Sequence, residues 1–125
     1  MTKVDCYFYL TESKKSPVED FIRSLDPRTR RKFYYTKSLL ETCGRKLAYP
    51  HAKYLGDDIF ELRFKGSEGD VRTLYFFFAG NSVIFTNGFI KKSNKTPSTE
   101  KELAVNRRKD YLIRINRKQV INDDR

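Results

Sequence analysis

The sequence predicts an α+β fold in which a small antiparallel β-sheet, made of a meander and an N-terminal strand, packs against two helices of the N-terminal half and a C-terminal helix. Three β-branched and aromatic runs, separated by turns that contain Gly and Asn, predict the meander. A polar residue followed by proline occurs twice and predicts the starts of the first two helices. We expect residues 1–125 to form one domain with a modest hydrophobic core.

The N-terminal half is predicted to supply one strand and two helices. The apolar run at residues 4–10 is expected to join the sheet. A Ser-Pro pair at 16–17 begins the first helix, where Glu19 is expected to complete a capping box. An Asp-Pro pair at 26–27 begins the second helix, which is predicted to end near Cys43 because a glycine follows.

The meander is predicted to align two arginines and a phenylalanine. Its strands are expected at residues 59–65, 70–78 and 82–89. A four-residue turn at 66–69 would place Arg63 directly opposite Arg72. A two-residue Gly-Asn turn at 80–81 would place Arg72 opposite Phe89. One face of the sheet is therefore expected to carry the row Arg63, Arg72 and Phe89.

This row is a candidate phosphate site. Two like charges that face each other across a sheet are unfavourable unless an anion lies between them. Guanidinium groups bind phosphate through paired hydrogen bonds, and an aromatic ring beside them can stack on a base. The alternative is that each arginine pairs with a nearby acid, Glu61, Glu68 or Asp70, and has no further role.

The composition favours a polyanionic partner. The chain has 26 Lys and Arg residues against 16 Asp and Glu residues, a net charge of +10, so nucleic acid is the first candidate. The N-terminus lacks an apolar signal region and no segment is long enough to span a bilayer, so we expect a cytoplasmic protein without a membrane partner. Cys6, Cys43 and His51 lack ligand-type spacing, so we expect no disulfide framework, metal or other cofactor.

Two further basic features are candidates for function. The loop at residues 48–58 carries His51, whose imidazole is either a general base or simply an exposed side chain. The second helix has a basic side that is either solvated or in contact with a large nucleic acid. The basic residues of this helix are Arg28, Arg30, Arg31, Lys32 and Lys37.

The C-terminal part begins with a lysine-rich loop. Its cations are Lys91, Lys92 and Lys95. A Thr-Pro pair at 96–97 begins the last helix, which is predicted to run from Pro97 to about Leu112. Residues 113–125 are polar and mixed in charge, so this tail is expected to fray.

Several segments in this order resemble the phage-derived branch of the RelE/HigB toxin family, over about residues 4–111. They are SPVEDF at 16–21, Pro50 with Lys53 and Leu55, ELR at 61–63, VRTLY at 71–75, GFIKK at 88–92, and KTP at 95–97 with Glu100. The stretch GFIKKSNKTPSTE is the most specific of them because it follows the ELR and VRTLYF strands.

The resemblance implies a RelE-like fold and a metal-independent endoribonuclease. Such an mRNA interferase cuts translated mRNA in the ribosomal A site, by attack of a ribose 2′-OH on the adjacent phosphorus, and so inhibits translation and growth. The implied catalytic residues are Arg63, Arg72, Phe89 and Lys91, with Lys92 as the alternative to Lys91. Contacts to the substrate or its phosphates are expected from Lys53, Lys92, Lys95 and His51.

The resemblance also implies partners, and it leaves the general base open. The partners are mRNA on the 70S ribosome, rRNA that contacts the basic helix surface, and a cognate antitoxin with a helix-turn-helix domain. The base is a lysine of depressed pKa, Glu61 or His51. Some relatives place a base late in the chain, and here Tyr111 is the only residue in a comparable region.

Two other functions fit the same residues. One is a basic module that holds RNA or DNA without cutting it, for which net charge and surface aromatics are sufficient. The other is a family member that has lost catalysis and acts as a regulatory partner. Growth arrest on expression, relieved by a neighbouring gene product, would separate the nuclease from a passive binder.

Overall fold

A five-stranded sheet organises the computed structural model, which describes residues 3–123 and the side chains of residues 3–118. The strands are β1 (Asp5–Phe8), β2 (Ala52–Gly56), β3 (Ile59–Gly66), β4 (Gly69–Phe78) and β5 (Ser82–Lys91). The helices are α1 (Pro17–Ser24), α2 (Pro27–Cys43) and α3 (Ser98–Asp123), and a short 3₁₀ turn at Gly44–Lys46 follows α2. The predicted α+β class, with its meander, N-terminal strand and C-terminal helix, is confirmed.

The strand order is β1-β5-β4-β3-β2, so β4 lies in the middle of the sheet. The β2 to β5 neighbours are antiparallel, and β1 pairs with β5 in parallel. A parallel pairing is open to β1 because two helices and three strands separate it from β5 in the chain. The predicted N-terminal strand therefore joins the last strand of the meander.

Helices cover both faces of the sheet. The α1 and α2 helices bury one face, where Ile22 and Phe33 pack with Leu62 and Phe85. The α3 helix covers part of the other face through Ala104, which packs in a second apolar cluster with Leu74. The alternation of β-strand side chains sends Arg63 and Arg72 to the α3 side.

Several polar contacts fix α3 on the sheet. The Tyr9 hydroxyl donates to the Asp110 carboxylate at 2.6 Å. Lys101 pairs with Asp57 at 3.1 Å in the turn between β2 and β3. The side-chain amide of Asn87 on β5 donates to Glu100 Oε1 at 3.0 Å. These contacts hold the middle of α3 to the residue after β1, and its first turn to the β2–β3 turn and to β5.

Gly88 allows α1 to approach the sheet closely. A Cβ atom at this position would lie 2.5 Å from Cδ2 of Phe21, so the two residues could not keep their places. The GFIKK segment on β5 and the SPVEDF segment at the start of α1 therefore pack directly against each other on the face of the sheet that α1 covers.

The helix starts are partly as predicted. Asp26 caps α2, because its carboxylate accepts from the Thr29 amide at 3.1 Å. Ser16 occupies the cap position of α1, but its side chain makes no capping hydrogen bond. The predicted capping box is wrong, since Glu19 instead pairs with Arg23 one turn along, at 3.1 Å.

Three predicted boundaries are corrected by the structure. Residues 48–58 are not all loop, because Ala52–Gly56 forms the edge strand β2 against β3. The turn between β4 and β5 contains three residues instead of two, since Phe78 faces Ser82. The α3 helix continues beyond Leu112 to Asp123, where a frayed tail is predicted.

No helix within residues 3–123 is both long and apolar enough to cross a membrane.

Candidate active site

The predicted row of Arg63, Arg72 and Phe89 is confirmed as a register. Arg63 faces Arg72 between β3 and β4, and Arg72 faces Phe89 between β4 and β5. The three-residue turn between β4 and β5 would by itself shift the pairing of Arg72 with Phe89 by one residue. A bulge at Thr86, where the register changes between Leu74 and Tyr75, restores it.

Arg72 is a nearly buried cation, with 4% of its surface exposed. Its Nη1 donates to the Val71 carbonyl at 3.0 Å. Its Nε makes no hydrogen bond and lies 3.5 Å from Glu61 Oε1. Burial and the neighbouring Arg63 both lower the pKa of Arg72. A further anion at this guanidinium would therefore be favourable.

Glu61 lies at the centre of the cluster and is 1% exposed. Its Oε1 accepts a hydrogen bond from Arg63 Nη1 at 2.9 Å. Its Oε2 accepts one from the Thr96 hydroxyl. The alternative prediction, that the arginines pair with nearby acids, is thus also realised, since Arg72 Nη2 lies 3.7 Å from Asp70. The buried Glu61 carboxylate is shared by the two guanidinium groups, and the half-exposed Asp70 carboxylate is a second, more distant counterion of Arg72.

Four lysines extend the positive charge beyond the arginines. They line a groove of about 300 Å³, and they are Lys53, Lys91, Lys95 and Lys101. Lys53 faces Glu61 across the β2–β3 ladder, and Lys91 faces Asp70 across the β4–β5 ladder. Burial and the charge of Arg72 lower the pKa of Lys91. Lys92 is exposed beside this groove in the chain, and it does not line it.

A second cleft, of about 280 Å³, opens over the arginine pair. Arg63, Arg72 and His51 line it together with Tyr49. The structure therefore brings His51 to the same cleft as the arginines. Sequence reasoning missed Tyr49 and Lys101, because a single tyrosine in a loop and a lysine in the first turn of a helix carry no distinguishing pattern.

Two aromatic residues of the sequence prediction differ in their surroundings. Phe89 is partly exposed and packs against the apolar cluster beneath α3. Tyr111 packs on Phe76 and Phe78. Since Phe76 lies four residues beyond Arg72, at about 3.3 Å per residue along a strand, Tyr111 is removed from the arginines. Tyr111 therefore belongs to the apolar core and is not placed to act as a base.

The basic side of α2 lies on the opposite face of the sheet from this cluster. Arg28, Arg31 and Lys32 are exposed. Lys37 instead pairs with Glu41 at 3.0 Å, and Arg30 donates to the Leu25 carbonyl at 2.9 Å. The α2 surface therefore presents three cations to solvent.

The arrangement is suited to binding an anion through the chain's own side chains. Among the side chains of residues 3–118, no group of three or more His, Cys, Asp and Glu could hold a metal ion. Guanidinium, ammonium, imidazole and phenol groups line the clefts and can donate hydrogen bonds to phosphate oxygens. The Asp70 carboxylate also lines the arginine cleft.

The five-stranded α+β architecture with a C-terminal helix is a RelE-like fold, and arginines and lysines cluster along two clefts on its α3 side. The model of the family described as "Phage derived protein Gp49-like (DUF891)" matches residues 20–109. This match covers more than two thirds of the chain and includes the whole arginine row. The chain belongs to this phage-derived family, which is a RelE/Gp49 toxin-like family. A search of the curated proteins found no match.

Proposed function

We propose that this protein is the toxin of a toxin–antitoxin pair and acts as a RelE/HigB-type mRNA interferase in the cytoplasm. Its substrate is mRNA held in the A site of the 70S ribosome. The observation that carries the proposal is the direct opposition of Arg63 and Arg72 on one face of the sheet, above a cleft. Membership of a toxin-like family supports it.

In the proposed reaction, the ribose 2′ oxygen attacks the adjacent phosphorus. A bond forms between O2′ and phosphorus, and the bond from phosphorus to the 5′ oxygen breaks. The departing 5′ oxygen takes up a proton from water, so the products are a 2′,3′-cyclic phosphate and a 5′ hydroxyl. Negative charge grows on the non-bridging oxygens during this step, and Arg63 and Arg72 oppose it. The ribosome presents the backbone in an orientation that free RNA seldom adopts, which supplies part of the rate.

The 2′ proton needs an acceptor, and Lys91 is the proposed base. The lowered pKa of Lys91 increases its neutral fraction. Glu61 is less suited, because its two oxygens already accept from Arg63 and Thr96. We assign Glu61 the role of holding the guanidinium groups in register. His51, which is exposed at the cleft, is proposed as a substrate contact.

The remaining residues bind the rest of the message and its surroundings. Lys53, Lys92 and Lys95 hold the RNA backbone, and Phe89 contacts a base beside Arg72. The exposed cations of α2 contact rRNA, for which diffuse positive charge on the far face of the sheet is sufficient. A cognate helix-turn-helix antitoxin neutralises the protein.

Single-turnover cleavage of ribosome-bound mRNA tests the proposal. Arg63→Ala and Arg72→Lys are expected to slow cleavage by about 10²- to 10³-fold, the usual effect of removing one preorganised donor. Lysine at position 72 keeps a charge in the buried site while removing the planar fork. Arg23→Ala is the matched control, because the Arg23 side chain is 72% exposed on α1. A wild-type rate in Arg63→Ala would exclude the mechanism.

A second candidate is a basic module that binds RNA or DNA, or a regulatory partner, without cleavage. The pairing of both arginines with Glu61 favours it, because a structural ion pair needs no catalytic role. Expression in a growing host separates the two functions. A nuclease arrests growth, the adjacent helix-turn-helix protein relieves the arrest, and 5′ hydroxyl ends appear on the message, whereas a passive binder gives none of these.

A further inference from the structure

Tyr49 is an exposed aromatic side chain at the mouth of the arginine cleft, and nothing in the proposed mechanism uses it. It is 69% exposed. It lines the same cleft as Arg63 and Arg72. Burying an aromatic ring is normally favourable, so a tyrosine left open beside two guanidinium groups is available to a ligand.

Arg63 holds the ring of Tyr49 in position on one side. The guanidinium carbon of Arg63 lies 4.9 Å from the ring centroid, a cation–π contact. The exposure of the side chain leaves the opposite face of the ring open. Arg63 thus supports one face of a ring whose other face can accept a flat ligand.

The backbone beneath Tyr49 is also fixed. The amides of His51 and Ala52 both donate to the Ala48 carbonyl, at 3.0 and 3.1 Å, and close the turn. The Arg63 amide donates to the His51 carbonyl at 2.8 Å and ties this turn to β3. The ring is therefore presented by a closed turn that is bonded to the strand carrying Arg63.

We propose that Tyr49 is a base-stacking platform for single-stranded RNA, on the side of the arginine pair opposite Phe89. This inference rests on the proposed function, because it identifies the bound form as a strand whose phosphate lies at the arginines. The base next to that phosphate stacks on the open face of Tyr49, in the order Arg63, tyrosine ring, base. Stacking of this kind tolerates different bases because each has a π face.

Binding of a short oligoribonucleotide, without ribosomes, tests the inference. The probe is a single strand of about ten nucleotides, within the range that stacking grooves bind, with 2′-O-methyl riboses to prevent cleavage. Tyr49→Ala is expected to weaken binding by about 5- to 150-fold, while Tyr49→Phe keeps the ring and binds like the wild type. Tyr7→Ala is the matched control, since Tyr7 is 53% exposed on β1 at the other edge of the sheet.

An abasic scan of the probe gives a readout that a structural role would not change. When the base at the stacked position is removed, wild type and Tyr49→Ala are expected to bind the probe with the same affinity. Equal binding by wild type and Tyr49→Ala, including a lack of measurable binding by both, overturns the inference. An equal loss of affinity in Tyr49→Phe and Tyr49→Ala also overturns it, because the effect would then belong to the hydroxyl group. If the wild-type protein binds the probe in a Tyr49-dependent way but does not cleave ribosome-bound mRNA, only the proposed nuclease activity is overturned.

Discussion

The hydroxyl group of Thr96 donates a hydrogen bond to the buried carboxylate of Glu61, across a separation of 35 residues. The bond joins the segment that precedes α3 to β3. Because the same carboxylate accepts from Arg63, the segment between β5 and α3 is linked through one side chain to the arginine pair. The lysine-rich loop and the arginines therefore form one connected site.

Thr96→Val should destabilise the protein. The substitution keeps the side-chain shape and removes a donor to a buried, charged acceptor, so we expect a loss of about 1–3 kcal/mol in the free energy of unfolding. Urea denaturation measures it. Thr99→Val is the matched control, because Thr99 is exposed in the first turn of α3. Equal effects of the two substitutions would show that the bond to Glu61 contributes nothing.

The proposed role of Lys91 predicts how cleavage depends on pH. Neutral lysine is the active form, so the single-turnover rate should rise with pH and level off above the pKa of Lys91, which lies below the ordinary value of 10.5. In Lys91→Ala the slope should disappear together with most of the rate. Glu61→Gln should keep the slope. A slope that survives in Lys91→Ala would transfer the role of base to another group.

Gly88→Ala should cost about 1–3 kcal/mol, the range for overpacking. The added methyl group would lie 2.5 Å from the Phe21 ring. Phe21→Leu shortens that neighbour, so the double variant should be less destabilised than the sum of the two single variants. Thermal unfolding followed by circular dichroism measures all three. Strict additivity would show that Phe21 is not the obstacle.

Tyr9→Phe should weaken the attachment of α3, by about 1–2 kcal/mol for a hydrogen bond to a carboxylate. That bond holds the pKa of Asp110 below its usual 3.8. A lowered carboxylate pKa adds stability that is present above 3.8 and is lost as the pH falls through the folded-state value. The difference between wild type and Tyr9→Phe in urea denaturation should therefore shrink below pH 3.8. Tyr7→Phe, on the exposed part of β1, should show no such difference.

The arginine row was predictable because turn chemistry limits strand register. Gly66 and Gly69 bound the turn that sets Arg63 opposite Arg72, and this pairing is as expected. The pairing of Arg72 with Phe89 is as expected for a different reason. The turn at residues 79–81 is one residue longer than predicted, and the bulge at Thr86 compensates. Bulges depend on how strands twist against their neighbours, which a local sequence pattern does not contain.

Other parts of the site depend on tertiary contacts. The β2 strand was missed because only Ala52 among its residues is buried, so it lacks the apolar alternation that marks a strand. Its pairing with β3 positions Lys53. The bond from Thr96 to Glu61 joins distant segments, and no spacing rule predicts it. The C-terminal half of α3 has no clear apolar period, and contacts such as the 2.6 Å pair of Arg114 and Asp110 support it instead.

Arg72 projects from β4, the middle strand, which has β3 on one side and β5 on the other. A guanidinium group anchored there cannot travel to meet its ligand, so the ligand must bend to reach it. A stiff double helix keeps its phosphates at fixed positions on its outer surface and can contact only the edge of the cleft. We expect flexible single strands to bind more tightly than duplexes of the same length and charge, so that backbone flexibility determines specificity together with charge.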